Sequence, residues 1–134
     1  MKFTRQSLNT MLLAISFIGL GVLFGAMGAH LFKNILSIKG MGTFNTGLRY
    51  QVIHGLALLF LSLLQKEYYR DHYFNKIAYL FSFGILFFSG NCYLLAFTQV
   101  SLFAHFVPIG GLMFLLGWIL LFLKIRSLKF EGFH

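Results

Sequence analysis

The chain has 134 residues, of which 58% are hydrophobic, 19% aromatic and only 10% charged, and it carries a formal net charge of +8. Globular domains carry about a quarter charged residues, so a soluble domain is excluded and an integral membrane protein is indicated. The positive charge does not describe a nucleic-acid surface either, because the basic residues flank apolar runs singly or in pairs and make no continuous basic face.

Four apolar stretches, at about residues 11–29, 48–64, 77–97 and 105–123, are long enough to cross a hydrocarbon layer, the second only with its polar lead-in or in a thin bilayer. They predict one domain over residues 1–134: an all-α membrane protein with four transmembrane helices in an up-down bundle. Lys2, Arg5, Lys66, Arg70, Lys76, Lys124, Arg126 and Lys129 flank one side, against Lys33, Lys39 and Arg49 on the other. Excess Lys and Arg marks the cytoplasmic side, so both termini are expected there in a bacterial inner membrane, or on the matrix side of a mitochondrial inner membrane. The first span follows Lys2 and Arg5 as a signal peptide would, with Ala26-Met27-Gly28 placed like a cleavage site, but its apolar run of about eighteen residues is too long for a signal core.

In the first span Ala14, Gly21, Gly25 and Gly28 fall near one helical face, a small-residue stripe suited to packing within the molecule or to dimerisation. His30 follows at the outer boundary. Residues 31–42 then place Leu31, Phe32, Ile35, Leu36 and Ile38 opposite Lys33, Asn34 and Ser37, which predicts a short amphipathic interfacial helix between the first and second spans. Gly40-Met41-Gly42 is expected to break it, with Thr43 or Asn45 capping the second span. That span carries Arg49, Gln51 and His54 inward, and the spacing puts Gln51 and His54 on one face. The inner loop, residues 65–76, mixes charges with Tyr68, Tyr69, Tyr73 and Phe74 and reads as a headgroup anchor.

In the third span Gly84, Asn91 and Thr98 recur every seven residues, as do Ser82, Ser89 and Ala96, and both sets are expected to face the bundle. The single cysteine, Cys92, allows no intramolecular disulfide and reads as a small packing residue. Pro108 is expected to start or kink the fourth span, with Gly110 and Gly117 on one face and Trp118 near the inner interface.

Gly25-Ala26-Met27-Gly28-Ala29-His30-Leu31, Phe44-Asn45-Thr46-Gly47-Leu48-Arg49-Tyr50-Gln51 with His54-Gly55-Leu56-Ala57, Phe88-Ser89-Gly90 with Tyr93-Leu94-Leu95, and Pro108-Ile109-Gly110-Gly111 with Gly117-Trp118 occur in that order. With these segments the chain resembles the domain-of-unknown-function 423 family, from Gly19 to Leu121. The resemblance implies a small four-span protein of bacterial inner membranes, with a mitochondrial relative in animals, and no settled activity. Two positions depart from the pattern: Asn45 stands where members often carry an acid, and Val107 where they carry threonine before the Pro-Ile-Gly-Gly run.

The candidate site is a polar cluster of His30, Arg49, Gln51, His54 and Asn91. No acid precedes Glu67 in the chain, so Arg49 is left to carbonyls, hydroxyls, a lipid phosphate or a bound anion. His54 is a functional histidine or a structural lock bonded to Gln51, Asn91 or a carbonyl, in the outer half of the bundle. The histidines sit on different spans, a spacing that gives no support to a haem or metal site, and no Asp or Glu stands by to orient a base. No catalytic residue, metal or cofactor is therefore expected. The leading reading is a structural or interaction protein, or an accessory subunit of an inner-membrane assembly, with membrane lipids, further copies of itself or a larger complex as partners. A transporter using the polar cluster comes second, and a quinone- or haem-binding protein third.

Overall fold

The computed structural model describes residues 3–68 and 70–131, the last three as backbone. Lys2 and Tyr69, read above as a flanking charge and an anchor, lie outside the described residues, as does the side chain of Lys129.

Helix α1 runs Arg5–His30, α2 Ile38–Glu67, α3 Tyr73–Ile85, α4 Asn91–Thr98 and α5 Leu102–Glu131. A π-helical turn, Leu86–Gly90, joins α3 to α4, so that the two form one span. Four helical stretches are long and apolar enough to cross a membrane, and their short connections force an up-down order. Every helix extends past the apolar window that marked it, because helical hydrogen bonding continues through polar ends in the headgroup layer.

Local chemistry sets the ends. Thr4 caps α1, its hydroxyl accepting from the Ser7 N–H at 3.1 Å while Ser7 Oγ donates to the Thr4 carbonyl. The expected amphipathic helix over 31–42 is replaced by a single 3-10 turn, Phe32–Asn34, after which α2 begins at Ile38. Ser37 caps α2 in place of Thr43 or Asn45, its Oγ accepting from the Gly40 N–H at 3.0 Å. Gly40-Met41-Gly42 thus lies inside the helix. Gly40 is there for clearance, since a Cβ on it would sit 3.0 Å from the Ala96 carbonyl oxygen. At the other end of α4, Gln99 adopts left-handed backbone (φ 57°) and closes the turn into α5 with a bond from its N–H to the Leu95 carbonyl. Pro108 lies within α5 and does not start it.

Helix α2 is the hub. It packs against α1, α3 and α4, while α5 packs chiefly on α3, the π turn and α4. Leu58, Leu61, Phe74, Ile77, Phe81 and Phe114 form the centre of the apolar core. Phe74 is thus a core residue and not an anchor. Glycines set the interhelical distances: a Cβ at Gly21 would stand 2.7 Å from Val52, one at Gly28 3.0 Å from Phe44, and one at Gly84 2.6 Å from the Phe114 ring. The stripe on α1 therefore packs within the molecule. Gly25 is its loosest member, with only Leu48 at an ordinary 3.6 Å.

At the end of the bundle that carries the α2–α3 loop, Asp71 ties that loop to α5. Its carboxylate pairs with Lys124 at 2.5 Å and accepts from the Tyr73 N–H at 2.9 Å. The Lys124 ammonium holds the Asp71 carboxyl below its ordinary value of 3.8. A depressed carboxyl pKa gives stability that is present above the unfolded value and lost as pH falls through the folded one. Thermal stability in detergent is accordingly expected to decline below about pH 4, by a modest amount for a side chain still 30% exposed. Asp71→Asn should remove the part of that decline due to this group, as paired melting curves at pH 6 and pH 3 would show.

A second test concerns α5. A Cβ on Gly110 would fall on the Phe88 backbone in the π turn, whereas one on Gly111 meets the Phe88 ring at an ordinary 3.8 Å. Gly110→Ala should cost about 1–3 kcal/mol. Gly111→Ala should be neutral or slightly stabilising through helix propensity, and equal melting temperatures for the two variants would contradict this packing.

Candidate functional site

The polar interior of the bundle is built outward from one face of α2. Gly47, Gln51, His54, Gly55, Ala57 and Leu58 are its buried residues here, at helical spacing. Both faces of the Gln51 amide are used: Nε2 donates to the Phe17 carbonyl of α1 at 2.8 Å, and Oε1 accepts from the Tyr93 hydroxyl of α4 at 2.6 Å. Gly21 makes the first bond possible, because the α1 backbone is bare where Gln51 approaches it. Tyr93 is held in place by Phe24, edge-on at 5.3 Å, and by Phe44 at 5.1 Å. One turn earlier on α2, the Gly47 carbonyl accepts from Ser89 Oγ at 2.6 Å.

His54 is 3% exposed. Its Nδ1 lies 2.8 Å from the Tyr50 carbonyl, and its Nε2 lies 3.0 Å from Trp118 Nε1. A carbonyl only accepts and an indole N–H only donates, so the pair fixes the neutral imidazole with its proton on Nδ1. Protonating Nε2 would set two donors against each other. The ring also lies parallel to Phe114, centroids 3.5 Å apart at 9°, and edge-on to Phe81 at 5.2 Å. Phe81 and Phe114 can stand there because Gly117 and Gly84 leave room for their rings.

The expected cluster is therefore brought together only in part. Gln51 and His54 share a face of α2 but bond to different helices. Asn91 is not a member: its Nδ2 donates to the Phe87 carbonyl of its own span at 2.7 Å. The π turn is the cause. Its wider winding inserts about one residue into the helical phase, so Ser89, Cys92 and Ala96 are buried while Asn91 and Thr98 rotate outward. His30 and Arg49 are exposed, away from the interior. His105 is exposed as well, its Nδ1 at 3.0 Å from the Ser101 carbonyl. Among the described residues no three His, Cys, Asp or Glu side chains gather.

Depth is corrected too. His54 lies sixteen residues below Ile38, where α2 begins, and Trp118 sixteen below Leu102, where α5 begins. At 1.5 Å per residue each is about 24 Å from its helix start, which puts the pair at mid-height of two 30-residue helices and not in the outer half or at the inner interface. Tyr93 and Trp118 were the residues that pattern reading missed as partners. The available signal was their polar tips: a Tyr O–H or Trp N–H far inside a span needs an acceptor, and α2 supplies the nearest polar face.

If the histidine is a lock, His54→Leu should destabilise by about 0.6–2 kcal/mol, as interhelical hydrogen bonds in membranes generally do. His54→Gln, which can still accept from the indole, should retain most of that stability. Trp118 is the only tryptophan, so its fluorescence during unfolding follows this contact directly. Equal melting temperatures for His54→Leu and the unsubstituted protein would remove the lock.

Comparison with known proteins gives consistent matches. The family described as "Protein of unknown function (DUF423)" matches residues 24–111. A UPF0382 membrane protein of Staphylococcus epidermidis is 42% identical over 108 residues, covering 81% of this chain and 85% of its own. The UPF0382 inner membrane protein YgdD of Escherichia coli K12 is 35% identical over 111 residues, covering 83% and 84%. No solved structure matches.

Proposed function

We propose that this chain, which belongs to the DUF423 family of membrane proteins, is a structural component of the inner membrane: a self-associating bundle or the accessory subunit of a larger assembly. The supporting observation is how the interior polar groups are used. Gln51, His54, Ser89, Tyr93 and Trp118 are each engaged in holding one helix to another. Four clefts on the bundle are lined by neither Gln51 nor His54, and one of them reaches Trp118. Acid–base or transport chemistry needs a group that can exchange its proton or partner along an open path, and the interior pair at His54 is committed on both nitrogens.

The outward surface fits the same reading. Helices α1 and α5 flank the bundle and keep large apolar side chains exposed, among them Leu12 and Val22 on one and Leu112 and Phe122 on the other. Such faces accept lipid or the helices of another membrane protein equally well in apolar terms, and shape decides between them.

The proposed orientation has both termini in the cytoplasm. In the up-down order Arg5, Lys66, Arg70, Lys76, Lys124 and Arg126 fall at one end of the bundle, and Lys33 and Lys39 at the other. A periplasm-dependent phosphatase fused behind His134 should be inactive, and an active fusion would reverse the orientation. For the function itself, native mass spectrometry from mild detergent should find the chain at fixed stoichiometry with itself or another subunit, unchanged in His54→Gln. A monomer carrying a chromophore, or a cellular phenotype lost in His54→Gln with melting temperature intact, would favour ligand or proton chemistry instead.

A further inference from the structure

Helix α1 packs on α2, and it reaches the third span through side chains: Phe24 meets Tyr93, and Gln6 Nε2 lies 3.5 Å from the Tyr79 hydroxyl. Between those two points the helices stand apart. The resulting cleft between α1 and α3 holds about 740 Å³ and lies in the half of the bundle that contains Arg5. From its geometry we propose that the α1–α3 cleft binds one anionic phospholipid, phosphate at the Arg5 end and one acyl chain along the groove.

The lining is divided as an amphiphile would require. Arg5, Gln6, Asn9, Thr10 and Tyr79 line one end, whereas Leu13, Leu20, Phe83 and Leu86 line the other together with Ser16 and Ser82, whose hydroxyls are bonded to carbonyls of their own helices. Several of the polar groups lack protein partners. Thr10 is 8% exposed yet makes no side-chain hydrogen bond among the described residues, and neither do Asn9 and Arg5. All three precede the apolar run of α1 and stand at headgroup level, where a lipid headgroup supplies acceptors for them.

Charge complementarity identifies the headgroup. Lys76 stands on the same face of α3 as Tyr79 and Phe83, one turn nearer the α2–α3 loop, exposed and just beyond the residues that line the cleft. The first turns of α1 and α3 contain no acid. A guanidinium in the lining with several donors beside it suits a phosphate, Arg5 giving paired hydrogen bonds and Lys76 a further positive charge on the adjoining face of α3.

Length agrees as well. Arg5 and Leu20 are fifteen residues apart on one helix, about 22 Å at 1.5 Å per residue. Half of a hydrocarbon core of about 30 Å plus one headgroup layer is about the same distance. The inner leaflet is implied by the orientation proposed above, whereas binding itself does not depend on it. An error in orientation would show in the phosphatase fusion and leave the following measurement unchanged.

The purified full chain is placed in mixed phosphatidylglycerol and phosphatidylcholine, and retained lipids are counted by native mass spectrometry. One phosphatidylglycerol per chain should be kept, at least fivefold over phosphatidylcholine. Arg5→Gln with Lys76→Gln, both exposed positions, should abolish that preference. Lys33→Gln with Lys39→Gln, which removes the same charge at the far end, should leave it intact. Ser82→Phe, which fills the groove at tail level, should lower retention of both lipids at least fivefold, with melting temperature as the control for folding. Equal retention of the two lipids, or a preference surviving the Arg5 and Lys76 changes, overturns the proposal. Dimers without bound lipid, dispersed by Ser82→Phe, would assign the cleft to a second copy of the chain and overturn it equally.

Discussion

The bundle depends on the two-ended use of Gln51. Inside a membrane no water competes for or rescues a polar group, so an amide must satisfy its donor and its acceptor from protein. Gln51 does so by reaching a backbone carbonyl of α1 with one end and the Tyr93 hydroxyl with the other, so that one side chain fixes three spans. His54, one turn along, brings in α5 through Trp118 by the same logic. Leucine packing alone would leave these helices free to slide, since hydrocarbon outside is as apolar as hydrocarbon within. Directional bonds at two successive turns of α2 set the rotation of every other helix about it.

Those bonds would not reach without the glycines. A glutamine side chain is short relative to the usual spacing of helices, and it meets the α1 carbonyl because Gly21 lets the backbones close up. The same device admits Phe114 at Gly84 and Phe81 at Gly117, the two rings that enclose the imidazole. Polar lock and small-residue packing are one arrangement here. Enlarging a glycine at Gly21 would lengthen the bonds of Gln51 even though neither bonded residue had changed.

The four spans and their order were legible because apolar length, loop brevity and basic flanks are all written locally in the chain. Gln51 and His54 were legible as interior residues from their spacing alone. Their partners were not. Asn91 was placed inward by a seven-residue repeat that assumes uninterrupted α-helix, and the π turn at Leu86–Gly90 shifts that phase without any proline or charge to announce it. The start of α2 was misplaced because Gly40 and Gly42 resemble a helix break, whereas Gly40 serves the close approach of Ala96. Moving the start to Ile38 also moved His54 to the centre of its helix, which is why a residue expected in the outer half stands opposite Trp118.

The helices are unequally packed, α1 resting on α2 while α5 rests on α3, the π turn and α4. Helix α1 takes its support from α2, and the directional bond that positions it, from Gln51 to Phe17, lies well away from its N-terminal end. Above that bond Phe24 closes against Tyr93; below it the 3.5 Å contact of Gln6 with Tyr79 is the side-chain hydrogen bond between α1 and α3 among the described residues. A bundle locked at its middle and open along one flank near the N-terminal end of α1 keeps its chemistry-bearing groups immobile while offering its least constrained surface to the membrane. The polar residues on that flank have no structural work comparable to that of Gln51 or His54. Whatever this protein recognises through named side chains is accordingly better sought along α1 and α3 than at the buried histidine.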